Sequence, residues 1–148
     1  MTEKSTAVQR APSKTSLTAQ DVMQRPVIAA TPRASLRDVA SQLVANEFTG
    51  MPVVAPDGRV VGVITESDIV HAVLQGKRLE NLSASDVMTG PPIAVKVDAP
   101  LEEVMKHLDE NRIVRVPVTN DDALVGIISR RDVIRAILEP EFIVCGGL

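Results

Sequence analysis

The feature that most constrains this chain is that it says nearly the same thing twice. Asp21-Val22-Met23 recurs as Asp86-Val87-Met88, a shift of 65. At that shift Leu36 matches Leu101, Val39 matches Val104, Leu43 matches Leu108, Asn46 matches Asn111, and Pro52-Val53 matches Pro117-Val118. Past the turn Pro56-Asp57-Gly58 the shift becomes 64: Gly62 matches Gly126, Thr65 matches Ser129, Asp68 matches Asp132 and Ala72 matches Ala136. A one-residue change placed in a turn is where a duplicated unit tolerates it best. Self-similarity of this kind sets the architecture before any local propensity is consulted.

Each copy reads as a short helix (about 18–24, then 84–89), a brief apolar strand (Val27–Ala30; Ile93–Val97) and an amphipathic helix. That helix carries Leu36, Val39, Ala40, Leu43 and Val44 in the first copy and Leu101, Val104, Met105 and Leu108 in the second, at helical spacing. Ser35 suits an N-cap, and Pro100 an early helical position. Two strands around a tight turn follow: Met51–Val54 and Val60–Thr65, then Val116–Thr119 and Leu124–Ser129. A closing helix runs from Glu66 to about Gln75, and from Arg130 to about Leu138. The predicted class is α/β (α+β): two β-α-β-β-α repeats, at 17–75 and 84–138, joined by a linker at 76–83. One copy alone would leave an apolar sheet face bare, so the two are expected to pack with pseudo-twofold symmetry into one compact module. Residues 1–16 read as a disordered tail, and 139–148 as a C-terminal tail whose Phe142, Ile143, Val144 and Leu148 can pack on the module or a partner.

At 148 residues the chain can bury about 70% of the surface its unfolded form exposes. With no Trp, no Tyr and two Phe, that core must be aliphatic. Net charge is −3. Nucleic-acid binders usually pair a basic face with stacking aromatics, and neither is evident, so nucleic acid is disfavoured as a partner. The single cysteine, Cys145, cannot form an internal disulfide and suggests a reducing compartment. No stretch has the length of a signal peptide's apolar region or of a membrane span, which points to a cytoplasmic protein without a membrane partner. His71 and His107 lack neighbouring metal ligands, and no nucleophile-base-acid set is visible, so no catalytic or metal residues are assigned and no enzymatic activity is expected.

The segments with chemical content are Gly62-Val-Ile-Thr65-Glu-Ser-Asp68 and Gly126-Ile-Ile-Ser129-Arg-Arg-Asp132. Each places a glycine in a strand, a hydroxyl at the strand's end and an aspartate in the next helix's first turn. One account is a capping box that satisfies free backbone N–H groups. Another is a nucleoside site. The helix N-terminus suits a phosphate, the carboxylate can accept from vicinal ribose hydroxyls, and the glycine permits close approach.

These lines, with Thr49-Gly-Met-Pro-Val-Val and Arg115-Val-Pro-Val-Thr before them and Asp-Val-Met opening each copy, resemble the CBS domain, named for cystathionine beta-synthase. The resemblance covers about residues 17–138 and marks the chain as similar to a stand-alone tandem pair, the Bateman module. It implies a regulatory module that binds an adenine nucleotide in clefts between the repeats and signals to an effector protein on another chain. The ligand would be AMP, ADP or ATP, with or without Mg2+; S-adenosylmethionine ranks below these. Carried over by position, Asp68 and Asp132 would bind ribose hydroxyls, and Thr65 and Ser129 ribose or α-phosphate. The adenine would lie against Gln24, Val27 and Ile28 in one site and Thr89, Pro92 and Ile93 in the other, with Met51-Pro52 and Val116-Pro117 closing the pockets. Arg112, Arg130 and Arg131 would serve phosphates, where the first copy has Glu47, Glu66 and Ser67. The cleft with Arg130 and Arg131 would accordingly prefer more phosphates, and the cleft with Glu66 would bind less tightly or prefer a less charged ligand. Family members commonly form homodimers through their helices. The alternative is a structural or dimerisation module without a physiological nucleotide.

Overall fold

A computed structural model describes the backbone of residues 17–146 and the side chains of residues 17–139. The expectations for residues 1–16 and for the side chains of the C-terminal tail lie outside the described residues. Helices α1 (Ala19–Val22), α2 (Leu36–Asn46), α3 (Glu66–Leu74), α4 (Ala84–Val87), α5 (Leu101–Glu110) and α6 (Arg130–Gly146) alternate with strands β1 (Gly50–Val54), β2 (Val60–Thr65), β3 (Val95–Lys96), β4 (Arg115–Asn120) and β5 (Ala123–Ser129). The class is mixed α/β, as the sequence predicts. A 3-10 turn at Leu79–Asn81 interrupts the stretch expected to be a plain linker, and Leu79 and Leu82 pack against the first repeat's core.

β1 and β2 form an antiparallel pair running from Gly50↔Thr65 to Val53↔Gly62, with a bulge before Val54↔Val60. In the second repeat the sheet order is β3-β4-β5, with β3 parallel to β4. The predicted strand Val27–Ala30 contracts to a single parallel bridge, Ala30↔Val53. Only Ala30 is buried in that segment, and it alone exchanges ladder bonds, donating to the Pro52 carbonyl (2.9 Å) and accepting from the Val54 N–H (2.8 Å). Ile28 and Ala29 face solvent and gain nothing from pairing.

The chain divides into two compact units that do not follow the repeat boundaries. Among the described residues, one comprises 17–25, Ala94–Asn120 and 125–146; the other comprises Pro26–Ile93 and Asp121–Leu124. The cause is a reciprocal exchange of opening segments. The Ala19 N–H donates to the Ala99 carbonyl (2.8 Å) and the Leu101 N–H to the Leu17 carbonyl (3.0 Å), so the chain's opening docks on the second repeat. The counterparts in the other unit, Ala84 N–H to Ala34 carbonyl and Leu36 N–H to Leu82 carbonyl (both 2.8 Å), dock the second opening on the first repeat. Ala19 and Ala84 are fully buried there, small enough for a helix to sit flush on its neighbour.

The first-repeat core gathers Leu36, Val39, Leu43, Met51, Val53 and Ile64 with Ala72 and Ala84. The second repeat buries Leu101, Val104, Val116, Val118 and Ile128 in matching positions. All are aliphatic. At about 25 cal/mol per Å² of apolar area removed from water, these side chains supply most of the drive to fold.

Both amphipathic helices stop in the same way. Glu47 and Arg112, 65 residues apart, adopt left-handed backbone (φ 55° and 53°). Phe48 and Ile113 then donate back to the carbonyls of Leu43 (2.9 Å) and Leu108 (3.2 Å), the six-to-one bond of a Schellman ending. That position usually belongs to glycine, which is why neither ending is obvious in the sequence. The β4–β5 turn also has two left-handed residues, Asp121 (φ 51°) and Asp122 (φ 68°), the signature of a type I′ hairpin turn.

Candidate functional site

At the end of β2, Thr65 is the N-cap of α3. Oδ2 of Asp68 accepts from the Thr65 N–H (2.8 Å) and hydroxyl (3.1 Å), and the Asp68 N–H donates to Thr65 Oγ1 (3.4 Å). At the end of β5, Oδ2 of Asp132 accepts from the Ser129 N–H (2.8 Å) and hydroxyl (2.9 Å), and the Asp132 N–H donates to Ser129 Oγ (3.1 Å). Each aspartate thus spends one oxygen on its capping box.

The other oxygen separates the two sites. Oδ1 of Asp132 accepts from Gln24 Nε2 at 2.6 Å and from Arg135 Nη1 at 3.1 Å. Asp132 is 5% exposed. Burial pushes its carboxyl up, but the Ser129 N–H, Gln24, the Ser129 hydroxyl and Arg135 together outweigh that and hold it below the ordinary carboxylate value. Asp68 is half-buried, and among the described residues no group donates to its Oδ1.

Gln24, grouped from the sequence with Val27 and Ile28, sits on Asp132 of the second repeat. Its backbone pairs with Ile127 at 2.8 and 3.1 Å. Thr89, grouped with Pro92 and Ile93, pairs with Val63 of β2, at 3.1 and 3.0 Å. The reason is the exchange of opening segments, which carries residue 24 to one unit and residue 89 to the other. Val27 and Ile28 share a unit with Asp68, as do Thr89, Pro92 and Ile93. Met51, Pro52, Val116 and Pro117 are buried.

Gly62 and Gly126 make room for protein. A methyl group on Gly62 would fall 2.6 Å from the Met88 sulfur, and one on Gly126 would collide with Met23. Each methionine belongs to the opening segment docked on that unit.

Of the expected phosphate residues, Arg130 donates Nε–H to the carbonyl of Ile113 (3.1 Å), the residue after Arg112 in the chain. Arg131 and Arg112 are exposed. Arg135, which lies on Asp132, was not foreseen; its i+3 spacing from the aspartate was the available signal. Among the described residues no group of three His, Cys, Asp or Glu side chains could hold a metal, and no helix is long and apolar enough to cross a membrane.

The CBS domain family model matches residues 19–75 and 84–139, both repeats. This chain belongs to the CBS domain family. Among solved CBS structures, the CBS domain protein PAE2072 from Pyrobaculum aerophilum, complexed with AMP, is 30% identical with a TM-score of 0.75, covering 84% of this chain and 97% of that one. The CBS domain pair of protein MJ0100, in complex with 5-methylthioadenosine and S-adenosyl-L-methionine, is 28% identical with a TM-score of 0.74, covering 84% and 98%. The uncharacterised protein MJ1426 of Methanocaldococcus jannaschii is 28% identical over 152 aligned positions, covering 80% of this chain and 90% of its own length. Of the curated enzymes it matches, the chain spans only 21% to 24%.

Proposed function

We propose that this CBS pair is a non-catalytic regulatory module that binds an adenine nucleotide at a strand-to-helix junction, with Asp68 accepting the ribose hydroxyls. The supporting observation is Oδ1 of Asp68, which takes no bond among the described residues although Oδ2 is fixed by the cap. A carboxylate oriented through one oxygen and open at the other is prepared to receive a vicinal diol. Thr65 and the N–H groups opening α3 would lie toward the first phosphate, and Val27 and Ile28 would offer aliphatic surface to the base. Ser129, with Arg112, Arg130 and Arg131, forms the corresponding polar set of the second repeat. The complexes of PAE2072 with AMP and of the MJ0100 pair with 5-methylthioadenosine and S-adenosyl-L-methionine support this ligand class.

The signal would pass to a partner protein through a change in repeat packing, with the module acting as a homodimer. Support for an assembly surface comes from α3 and α6. Val70 and Leu74 are 58% and 80% exposed, and their counterparts 64 residues on, Ile134 and Leu138, are 56% and 52% exposed. Exposed apolar side chains recurring at one position of a repeat are a feature of interaction faces.

A thermal-shift series with AMP, ADP, ATP and S-adenosylmethionine tests the reading. A true ligand at 100 times its Kd adds about 2.7 kcal/mol and raises the midpoint visibly. Asp68→Asn, which keeps the cap acceptor, should weaken binding about ten- to a hundredfold. The filled caps favour a second reading, a scaffold without ligand. Unchanged midpoints with all four compounds, alongside a stable dimer, would select it.

A further inference from the structure

The two junctions repeat in sequence but not in hydrogen bonding, and the difference lies in two positions. Where the second repeat's unit has Gln24, the other unit has Thr89, at a shift of 65; where it has Arg135, the other has His71, at a shift of 64. Gln24 Nε2 and Arg135 Nη1 fill Oδ1 of Asp132. Thr89 is too short to make the same reach; its backbone pairs with Val63 as that of Gln24 does with Ile127. His71 is exposed, and among the described residues neither group meets Asp68.

We infer that Gln24 is an internal competitor for the ribose position at Asp132, so that the chain takes one nucleotide, at Asp68, while Gln24 holds the second aspartate. This rests on the ligand class proposed above. An amide N–H donating to a carboxylate oxygen makes the bond that a ribose hydroxyl would make. Because the Gln24 backbone is fixed to β5, the side chain is always at hand, and a ligand must displace it. The lost charge-assisted bond corresponds to about a ten- to a hundredfold affinity penalty. Arg135 is a weaker obstacle. Its side chain is 49% exposed, such ion pairs contribute little, and a guanidinium at the rim can turn to a ligand phosphate. Gln24 is exposed apart from its amide contact, so its replacement leaves the core intact.

Titration calorimetry with AMP on the full chain decides the matter. The wild type should bind one AMP per chain, and Gln24→Ala should bind two. The transplant Thr89→Gln should supply the missing competitor to Asp68 and lower AMP affinity about tenfold or more. It also carries the test if Gln24→Ala does not fold. Two equal sites in the wild type would overturn the inference alone, as would unchanged stoichiometry in Gln24→Ala with unchanged affinity in Thr89→Gln. Absence of binding in the wild type and every variant would overturn it together with the ligand class.

Discussion

Met88 lies across Gly62 with its sulfur 2.6 Å, and its Cβ 3.1 Å, from where a side-chain carbon on that glycine would stand. Met23 bears on Gly126 in the same way, with its Cβ at 2.9 Å. A methionine tip can swing aside, but a Cβ is fixed to its backbone. Gly126→Ala should therefore destabilise by about 1–3 kcal/mol, the usual cost of overpacking, read as a lowered urea midpoint. Met23→Ala combined with Gly126→Ala should recover part of that loss, and the double-mutant cycle measures how much.

The endings of α2 and α5 predict the opposite sign. Glu47 and Arg112 hold left-handed backbone that glycine adopts without a Cβ penalty. Glu47→Gly should stabilise by about 1 kcal/mol, measured by denaturant unfolding. Arg112→Gly should stabilise similarly. Where Gln24→Ala has opened the second site, adding Arg112→Gly should weaken ATP there more than AMP.

Asp132 sets an acid limit. Its folded carboxyl lies below the ordinary value, so its contribution is fully present above the unfolded value of about 3.9 and fades as pH falls through the folded one. Asp132→Asn should cost about 1–3 kcal/mol at pH 7, by weakening bonds to a buried group. The gap between wild type and variant should narrow below about pH 4. Denaturant midpoints at pH 7, 4 and 3 provide the check; a gap that widens in acid would contradict the assignment.

The exposed stripes predict an assembly defect. Leu74→Glu with Leu138→Glu places charge at two apolar positions that are 80% and 52% exposed. Sedimentation should show the proposed dimer weakened by tenfold or more, while the melting curve of the monomer changes little, because surface substitutions usually move stability by less than about 0.5 kcal/mol.

The repeat, the two hairpins, the helix faces and both strand-end capping boxes were legible because each is written in local spacing. Family and fold followed from the doubled motif. What escaped the sequence had physical reasons. Gln24 meets Asp132 across 108 residues, and no local pattern encodes such a pairing. Both opening segments contain Asp-Val-Met, so their wording is silent on which body each one joins. The helix endings use Glu and Arg where the sequence signal would be glycine. Val27–Ala30 has a strand's apolar composition, yet it pairs at Ala30 alone, since hydrophobicity does not guarantee a partner. Gly62 and Gly126 looked suited to admit a ligand, and they admit a methionine.

The exchange of opening segments also separates heredity from folding. A polypeptide cut at the duplication boundary, near residue 83, would keep the text of one repeat whole but leave Leu101 without the Leu17 carbonyl its amide now meets, and the Ala34 carbonyl without the Ala84 N–H. Either half would expose the seat of a lost helix, an invitation to borrow the missing piece from another molecule. What was copied as a unit is therefore not what becomes stable as a unit.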